Sequence, residues 1–312
     1  MTTPQTKKRT TLVQRTAFTL VELMVVILVI SILAGIAAPF IFGALERARE
    51  FSIQNEIGQL DAAVRRFETE HGFFPPAIGP GLEIDTTDSD AGRRAFLRYL
   101  NRIAPNHAEG LGNTGAGNAP DGLRAWWDTV GVNLDRESSL VFWLSGLCTS
   151  KQYPLSGNAS NENSDVVLAP YNVNKDAADD DLASGVNIDR SVFFDFDLGR
   201  LVTNGSASGT TAGIKSYNQP QGKDDALAYQ YLDRRSYSSS PRAYHIAEGS
   251  SDPVFFNPES FQIICPGMDG VISSEDEEMR ETNLIDETGV DSAQDDNITN
   301  FSDGRLERSY GG

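Results

Sequence analysis

A long apolar run near the N-terminus constrains this chain more than any other feature. Between Phe18 and Leu45 the only ionisable side chain is Glu22. About 20 apolar residues are enough for a helix to cross the hydrocarbon layer of a membrane, so the run is long enough to span it. Secretory signal peptides have a shorter apolar core of roughly 7–15 residues that ends in small residues. We therefore expect this run to be retained as a membrane helix.

The charges are distributed unevenly along the 312 residues, whose formal net charge is −18. The first 17 residues contain no acidic residue and four cationic ones: Lys7, Lys8, Arg9 and Arg15. A basic head before an apolar run is typical of a targeting segment. We expect the head to stay in the cytoplasm and the acidic body to be translocated. The acidic balance also argues against binding to a phosphate backbone, so we expect no nucleic-acid partner.

The helical pattern continues beyond the apolar run. Five apolar residues recur at steps of four, three, four and three: Ile53, Ile57, Leu60, Val64 and Phe67. This spacing predicts an amphipathic helix over 46–72 that docks its apolar stripe onto a globular domain. Charged residues, Glu50 and Glu56 among them, are expected on the opposite, solvent-facing side. Gly72 predicts the end of the helix.

Pro39 lies inside the predicted helix of residues 18–71. Proline removes one backbone hydrogen bond and its ring clashes with the preceding turn. We therefore expect either a kink or local unwinding at this residue.

The remaining chain is predicted to be a mixed globular domain with three loops or insertions rich in Gly, Ser and Asn. Its C-terminal segment, 266–312, is acidic and weakly apolar, so it has to be ordered by something outside the segment. The predicted helices are 92–103 and 137–147, the predicted strands are 191–197, 200–203, 243–247 and 261–265, and the predicted loops are 108–122, 149–165 and 203–225.

The two cysteines, Cys148 and Cys265, lie far apart in the sequence. Export from the cytoplasm would permit a disulfide between them. Two buried, unpaired thiols are the alternative, because free cysteine behaves as a small apolar residue. Both alternatives stay open, since two cysteines do not make a disulfide framework.

The stretch "AFTLVE" at 17–22, between a basic leader and an apolar run, resembles the class III signal of type IV pilins and type II secretion pseudopilins. The resemblance implies that a prepilin peptidase cuts between Ala17 and Phe18 and methylates the new amine of Phe18. Most members have glycine before the cut, where this chain has the small Ala17. Glu22 matches the family's glutamate at the fifth residue after the cut, which implies a role in assembly.

The resemblance implies an α+β, pilin-like fold. In that fold a long N-terminal helix packs on a small antiparallel sheet with loop insertions. The implied organisation is a basic leader at 1–17, a transmembrane assembly helix at 18–45, its amphipathic continuation at 46–72 and a periplasmic globular domain at 73–312.

Two further stretches are similar to the major, or G-type, pseudopilins. "LDAAVRRFETEHGFFPP" at 60–76 resembles the end of their long helix. "PGMDG" at 266–270, followed by "DDNITNF" at 295–301, is similar to the C-terminal loop that holds calcium in that subfamily. An insertion at about 271–294 separates the two parts.

The resemblance places two residues at the positions of calcium-ligating aspartates, Asp295 and Asn297, while Phe301 replaces a tryptophan. Calcium takes six to eight oxygen ligands, and the carboxylates of this segment offer such oxygens. The alternative is a solvated acidic loop, because a charge cluster is repulsive unless a cation, an arginine or water screens it.

The function implied by the resemblance is that of a structural subunit in a type II secretion pseudopilus. The implied location is the inner membrane, with the N-terminus in the cytoplasm and the globular domain in the periplasm. The implied partners are further copies of the chain in a filament, other pseudopilins, the prepilin peptidase, an assembly platform with its ATPase, and membrane lipid.

Two alternatives remain from the sequence. One is a type IV pilin of a surface pilus that serves adhesion, motility or DNA uptake, and the other is a domain held by a plain signal anchor. We do not expect an enzyme: the three histidines, His71, His107 and His245, are scattered and form no H-E-x-x-H pair for a zinc hydrolase.

Overall fold

The structure, a computed structural model, forms two compact units, Met1–Ala48 and Arg49–Gly312. Helix α1 spans Leu20–His71, helix α2 spans Ser138–Leu144, and a 3-10 turn spans Leu198–Arg200. Residues 98–103 are also helical. The residues that the structure describes are 19–77, 96, 98–107, 136–147, 149, 151–152, 154, 191–203, 215–220, 228–237, 243–246, 254–267, 284–285, 296–306 and 309.

Across the described residues the strands form three small sheets. Their neighbour orders are β1-β2, β3-β6-β8 and β5-β4-β7, and every pair is antiparallel except β4 with β7. A long N-terminal helix with small antiparallel sheets confirms the α+β, pilin-like prediction. The strands are β1 (Leu201–Thr203), β2 (Lys215–Tyr217), β3 (Gln230–Asp233), β4 (His245–Ile246), β5 (Val254–Phe255), β6 (Phe261–Cys265), β7 (Leu284–Ile285) and β8 (Ile298–Thr299).

In the first unit the apolar side chains of α1 are exposed, from Leu20 at 73% to Leu45 at 48% of their accessible surface. Among the described residues α1 is the helix that is long and apolar enough to cross a membrane. The backbone stays helical through Pro39, so local unwinding is not seen there. A bend at Pro39 stays a prediction.

In the second unit the predicted apolar stripe of α1 forms the centre of the core. All five stripe residues are at most 2% exposed. Burying each such side chain contributes roughly 1.5–3 kcal/mol. The Phe67 ring lies against Trp143 and Phe193, at centroid distances of 6.0 and 5.1 Å. Gly72, at a φ of 76°, ends the helix as predicted.

Two acidic residues of α1 are not on the solvent face where the sequence placed them. Glu50 is only 5% exposed, and its Oε2 lies 3.6 Å from Arg305 Nε. Glu56 bonds to residues of the β-rich part of the second unit, described below. Both glutamates therefore face the packed domain, and each lies beside an arginine of that domain.

The predicted strand at 191–197 is wrong. The N–H groups of Phe193 and Phe194 both donate to the Leu144 carbonyl at the end of α2, so they are not available to a neighbouring strand. The loop predicted at 203–225 is also wrong in part, because it contains β2. β2 has a single large apolar residue, Tyr217, and is defined by its pairing with β1 rather than by its own pattern.

Within the C-terminal segment, the stretch 296–306 is ordered by the core. β8 pairs with β6, and Ile298 and Leu306 are fully buried. The Asn300 side chain donates to Asp61 Oδ1 on α1 at 3.1 Å and accepts from the Ile263 N–H at 3.0 Å. Two apolar anchors and one bridging amide therefore supply the ordering that the acidic composition of this segment did not predict.

Candidate assembly site

The first turn of α1 holds Glu22 in a closed set of hydrogen bonds with Thr19. The Thr19 N–H and hydroxyl both donate to Glu22 Oε2, at 2.9 and 2.8 Å. In return the Glu22 N–H donates to Thr19 Oγ1 at 3.2 Å. This reciprocal arrangement is a capping box, which satisfies backbone donors that have no partner within the helix.

The position of Glu22 suits its charge. The N-terminal end of a helix carries a partial positive charge, so a carboxylate in the first turn is favoured there. The capping box fixes this carboxylate at the start of the apolar run and next to the point where the chain is predicted to be cut. The sequence reasoning missed Thr19, although the T-x-x-E spacing of a capping box is visible in "TLVE".

Several predicted site residues lie outside the described residues. They are Ala17 and Phe18 at the predicted cut, Asp295 at the predicted calcium loop, and Cys148. The implied role of Glu22 in assembly stays a prediction.

A second polar site joins α1 to the β-rich part of the second unit. We call Glu56, Arg200, Tyr217 and Tyr229 the Glu56 cluster. Arg200 donates to both carboxylate oxygens of Glu56, each at 2.6 Å. The hydroxyls of Tyr217 and Tyr229 donate to the same carboxylate, at 3.0 and 2.6 Å. Four donors therefore converge on one carboxylate of the helix.

Burial shapes the electrostatics of the Glu56 cluster. Desolvation raises the pKa of Tyr217, and the nearby Glu56 charge raises it further. Burial is also the main cause that raises the pKa of Tyr229. Both tyrosines therefore stay protonated donors at neutral pH. The Arg200 guanidinium also lies 4.2 Å from the centre of the Tyr217 ring, a favourable cation–π distance.

The Glu56 cluster fixes the part of α1 in the second unit on the rest of that unit. Packing between apolar side chains allows a helix to shift slightly along its axis. A bidentate arginine–carboxylate contact holds the two groups in one geometry and also stabilises their association. Sequence reasoning missed this cluster, because its members are separated by 144 to 173 residues from Glu56 and no local pattern connects them.

The described part of the predicted calcium loop is built into the core. Asn297 is fully buried, and its amide donates to the Tyr244 hydroxyl at 2.8 Å. The Phe301 ring stacks on Phe256 at a centroid distance of 4.6 Å. Within the described residues there is no group of three or more His, Cys, Asp or Glu that would hold a metal. The amide nitrogen of Asn297 therefore supplies a core hydrogen bond. The predicted role of Asn297 as a calcium ligand stays a prediction.

Cys265 is a free thiol in β6. It is fully buried, and its Sγ–H donates to Gln219 Oε1 at 2.9 Å. Burial raises the pKa of this thiol, so it stays protonated and unreactive at neutral pH. Cys265 therefore matches the alternative of a buried, unpaired thiol.

Comparison with known proteins finds a match for the end of the basic leader and the first part of α1. Residues 14–38 match the model of the prokaryotic N-terminal methylation motif. This chain carries a prepilin-type N-terminus. The matched residues include Ala17, Phe18 and Glu22, and the match is consistent with the family of type IV pilins and pseudopilins. The motif implies processing by a prepilin peptidase and assembly into a filament. No curated protein and no solved structure matches the chain.

Proposed function

We propose that this prepilin-type chain is a structural, non-enzymatic subunit of a type II secretion pseudopilus. The observation that carries the proposal is the methylation motif at 14–38, which includes the start of a 52-residue helix. The first part of that helix exposes apolar side chains, and its second part is tied to a domain by a core and by the Glu56 cluster. This is the construction that a filament with a helical centre requires.

Before assembly the subunit is proposed to wait in the inner membrane. The basic leader faces the cytoplasm, α1 crosses the bilayer and the second unit lies in the periplasm. An assembly ATPase and platform protein then move subunits into a filament with other copies and other pseudopilins. Lipid covers the apolar part of α1 before this step, and neighbouring helices cover it afterwards.

The proposed role of Glu22 is to pair with the amine of Phe18 in an adjacent subunit. A new α-amine has a reference pKa of about 7.7–8.0 and is largely cationic at neutral pH. Each charge alone is costly within the membrane, whereas a hydrogen-bonded pair offsets part of that cost. Glu22 therefore distinguishes a docked subunit from a free one.

The N-terminus of the mature chain tests the processing step. Mass spectrometry of the protein from its native membrane is expected to find a chain that begins at a methylated Phe18. The variant Ala17→Trp is expected to keep the precursor mass, because a bulky side chain blocks the small site before the cut. Ala17→Gly is the matched control and should be processed normally. A chain that still begins at Met1 would support the plain signal anchor instead.

The resemblance at 60–76 and in the C-terminal loop favours a secretion pseudopilus over a surface pilus. A deletion of the gene distinguishes the two. A pseudopilin deletion is expected to stop the export of secreted proteins and to leave surface pili intact. Loss of surface pili with normal secretion would support the type IV pilin.

We also propose a structural calcium ion in the acidic C-terminal segment. The proposal rests on the resemblance and on the carboxylate oxygens of 266–312, with Asp295 and Asn297 as the residues matched to ligands. A bound ion stabilises the folded state by about 2.7 kcal/mol at one hundred times its Kd. The melting temperature of the full chain in detergent is therefore expected to fall by several degrees when a chelator removes calcium. An unchanged melting temperature, with or without added calcium, would contradict the proposal.

A further inference from the structure

The outer face of α1 in the second unit carries a groove, opposite the buried stripe. Its volume is about 400 Å³, and we call it the Gly58 groove. Phe51, at one end, is 72% exposed, and a Cβ built on Gly58 would meet no atom within 4 Å. The space above Gly58 is therefore open. The groove is lined by Phe51, Gln54, Asn55, Gly58, Gln59 and Ala62.

The Gly58 groove has no charged residue, although 22% of the chain is charged. The helix has charges on either side of this stretch, at Glu46 and Arg47 before it and at Arg65 and Arg66 after it. An exposed helix face that stays in water usually carries charged and polar residues. Here three uncharged amides, Gln54, Asn55 and Gln59, line the groove instead, and the exposed Phe51 side chain lies beside the open space above Gly58.

Lipid does not account for this surface. The apolar run ends at Leu45, and four charged residues follow before Phe51: Glu46, Arg47, Arg49 and Glu50. Since charges are costly in hydrocarbon, the groove lies on the aqueous side of the span. A protein occupant fits better, because a glycine on a helix lets a second helix approach closely.

The small size of the groove limits the kind of protein that can occupy it. Six residues are far fewer than the 20–30 a side of a standard stable interface, so this surface does not hold a partner alone. It suits a helix that a larger contact already holds alongside α1. The apolar run of the same helix provides that larger contact when copies of the chain pack together.

We propose that the Gly58 groove receives the Phe51 side chain of a second copy of this chain. The inference rests on the proposed function, because filament packing brings the two helices side by side. A large residue then faces a small one, which is how facing helices pack without voids. Phe51 and Gly58 are seven residues apart, so the two copies are offset along the helix axis by about 10 Å.

The variant Gly58→Leu tests this contact in the full chain in its native host. It fills the groove, and leucine favours a helix more than glycine does, so the subunit should fold and be processed normally. We expect about tenfold fewer subunits in sheared or cross-linked filaments. Ser52→Leu adds the same side chain at an exposed position outside the groove and should assemble as the wild type does. Normal assembly by Gly58→Leu, or an equal loss with Ser52→Leu, would overturn the inference.

Exchanging the large and the small residue between positions 51 and 58 tests whether Phe51 occupies the groove. Phe51→Ala alone is expected to reduce assembly, because it removes the side chain that fills the groove. Combined with Gly58→Leu it should restore much of the assembly, since the small and large residues have changed places. If the double variant assembles no better than Gly58→Leu, then Phe51 is not the occupant. If the wild-type chain forms no filament at all, the proposed function and this inference both fail, whereas a failure of this exchange in a wild-type chain that assembles overturns the inference alone.

Discussion

Glu22→Ala is expected to leave the subunit in the membrane and to prevent it from entering a filament. The substitution removes the one charge of the apolar run, so membrane insertion should be unchanged or easier. It also removes the proposed partner of the neighbouring Phe18 amine, which is then left as a lone cation in an apolar surrounding. We expect at least about tenfold fewer assembled subunits. Carbonate extraction measures the insertion, and cross-linked filament ladders measure the assembly.

A control is needed because Glu22 also belongs to the capping box. Thr19→Val removes the hydroxyl that donates to Glu22 Oε2 but keeps the carboxylate. If the charge pairs between subunits, Thr19→Val should weaken the first helical turn and still assemble. If the only role of Glu22 is to cap α1, the two variants should fail to the same degree. Normal filaments from Glu22→Ala would contradict the pairing.

The sequence predicts features of this fold that depend on periodicity and on local chemistry. The apolar run, the buried stripe from Ile53 to Phe67 and the helix end at Gly72 are all of this kind. Each is specified by residues that lie within a few turns of one another. The strand at 261–265 is predicted for the same reason, because four of its five adjacent residues are apolar.

The features that sequence reasoning missed depend on distant partners. Glu50 and Glu56 are charged residues on an amphipathic helix, and the partners that they contact, Arg305 and Arg200 among them, lie far along the chain. The segment 191–197 has the composition of a strand, yet its donors are taken by the end of α2. No window of sequence contains these pairings, so no local pattern predicts them.

The same limit applies to the candidate site. Thr19 and Glu22 are three residues apart, and their capping box follows from their spacing. The Glu56 cluster and the Gly58 groove both require knowledge of which side of α1 the domain covers. Once that side is known, the groove is the uncharged part of the opposite face between Phe51 and Ala62.

Arg200→Ala is expected to lower the melting temperature of the second unit by roughly 10 °C. Arg200 and Glu56 keep only 20% and 13% of their side-chain surface exposed, so the substitution leaves a buried carboxylate without its cation. Removing one partner of a buried pair costs about 3–5 kcal/mol, and each kcal/mol shifts the melting temperature of a unit of this size by roughly 2–4 °C. Thermal unfolding of the full chain in detergent, followed by circular dichroism, measures the shift.

The matched control is Arg234→Ala. It breaks a contact of similar length, 2.7 Å to Glu259, whose two side chains are 52% and 84% exposed. Exposed pairs contribute at most about 1 kcal/mol, so this variant should melt within a few degrees of the wild type. In the double variant Glu56→Ala with Arg200→Ala the melting temperature should fall by less than the sum of the two single shifts. Removing both partners leaves no unpaired charge behind. Equal shifts for Arg200→Ala and Arg234→Ala would mean that the Glu56 cluster does not fix α1 on its domain.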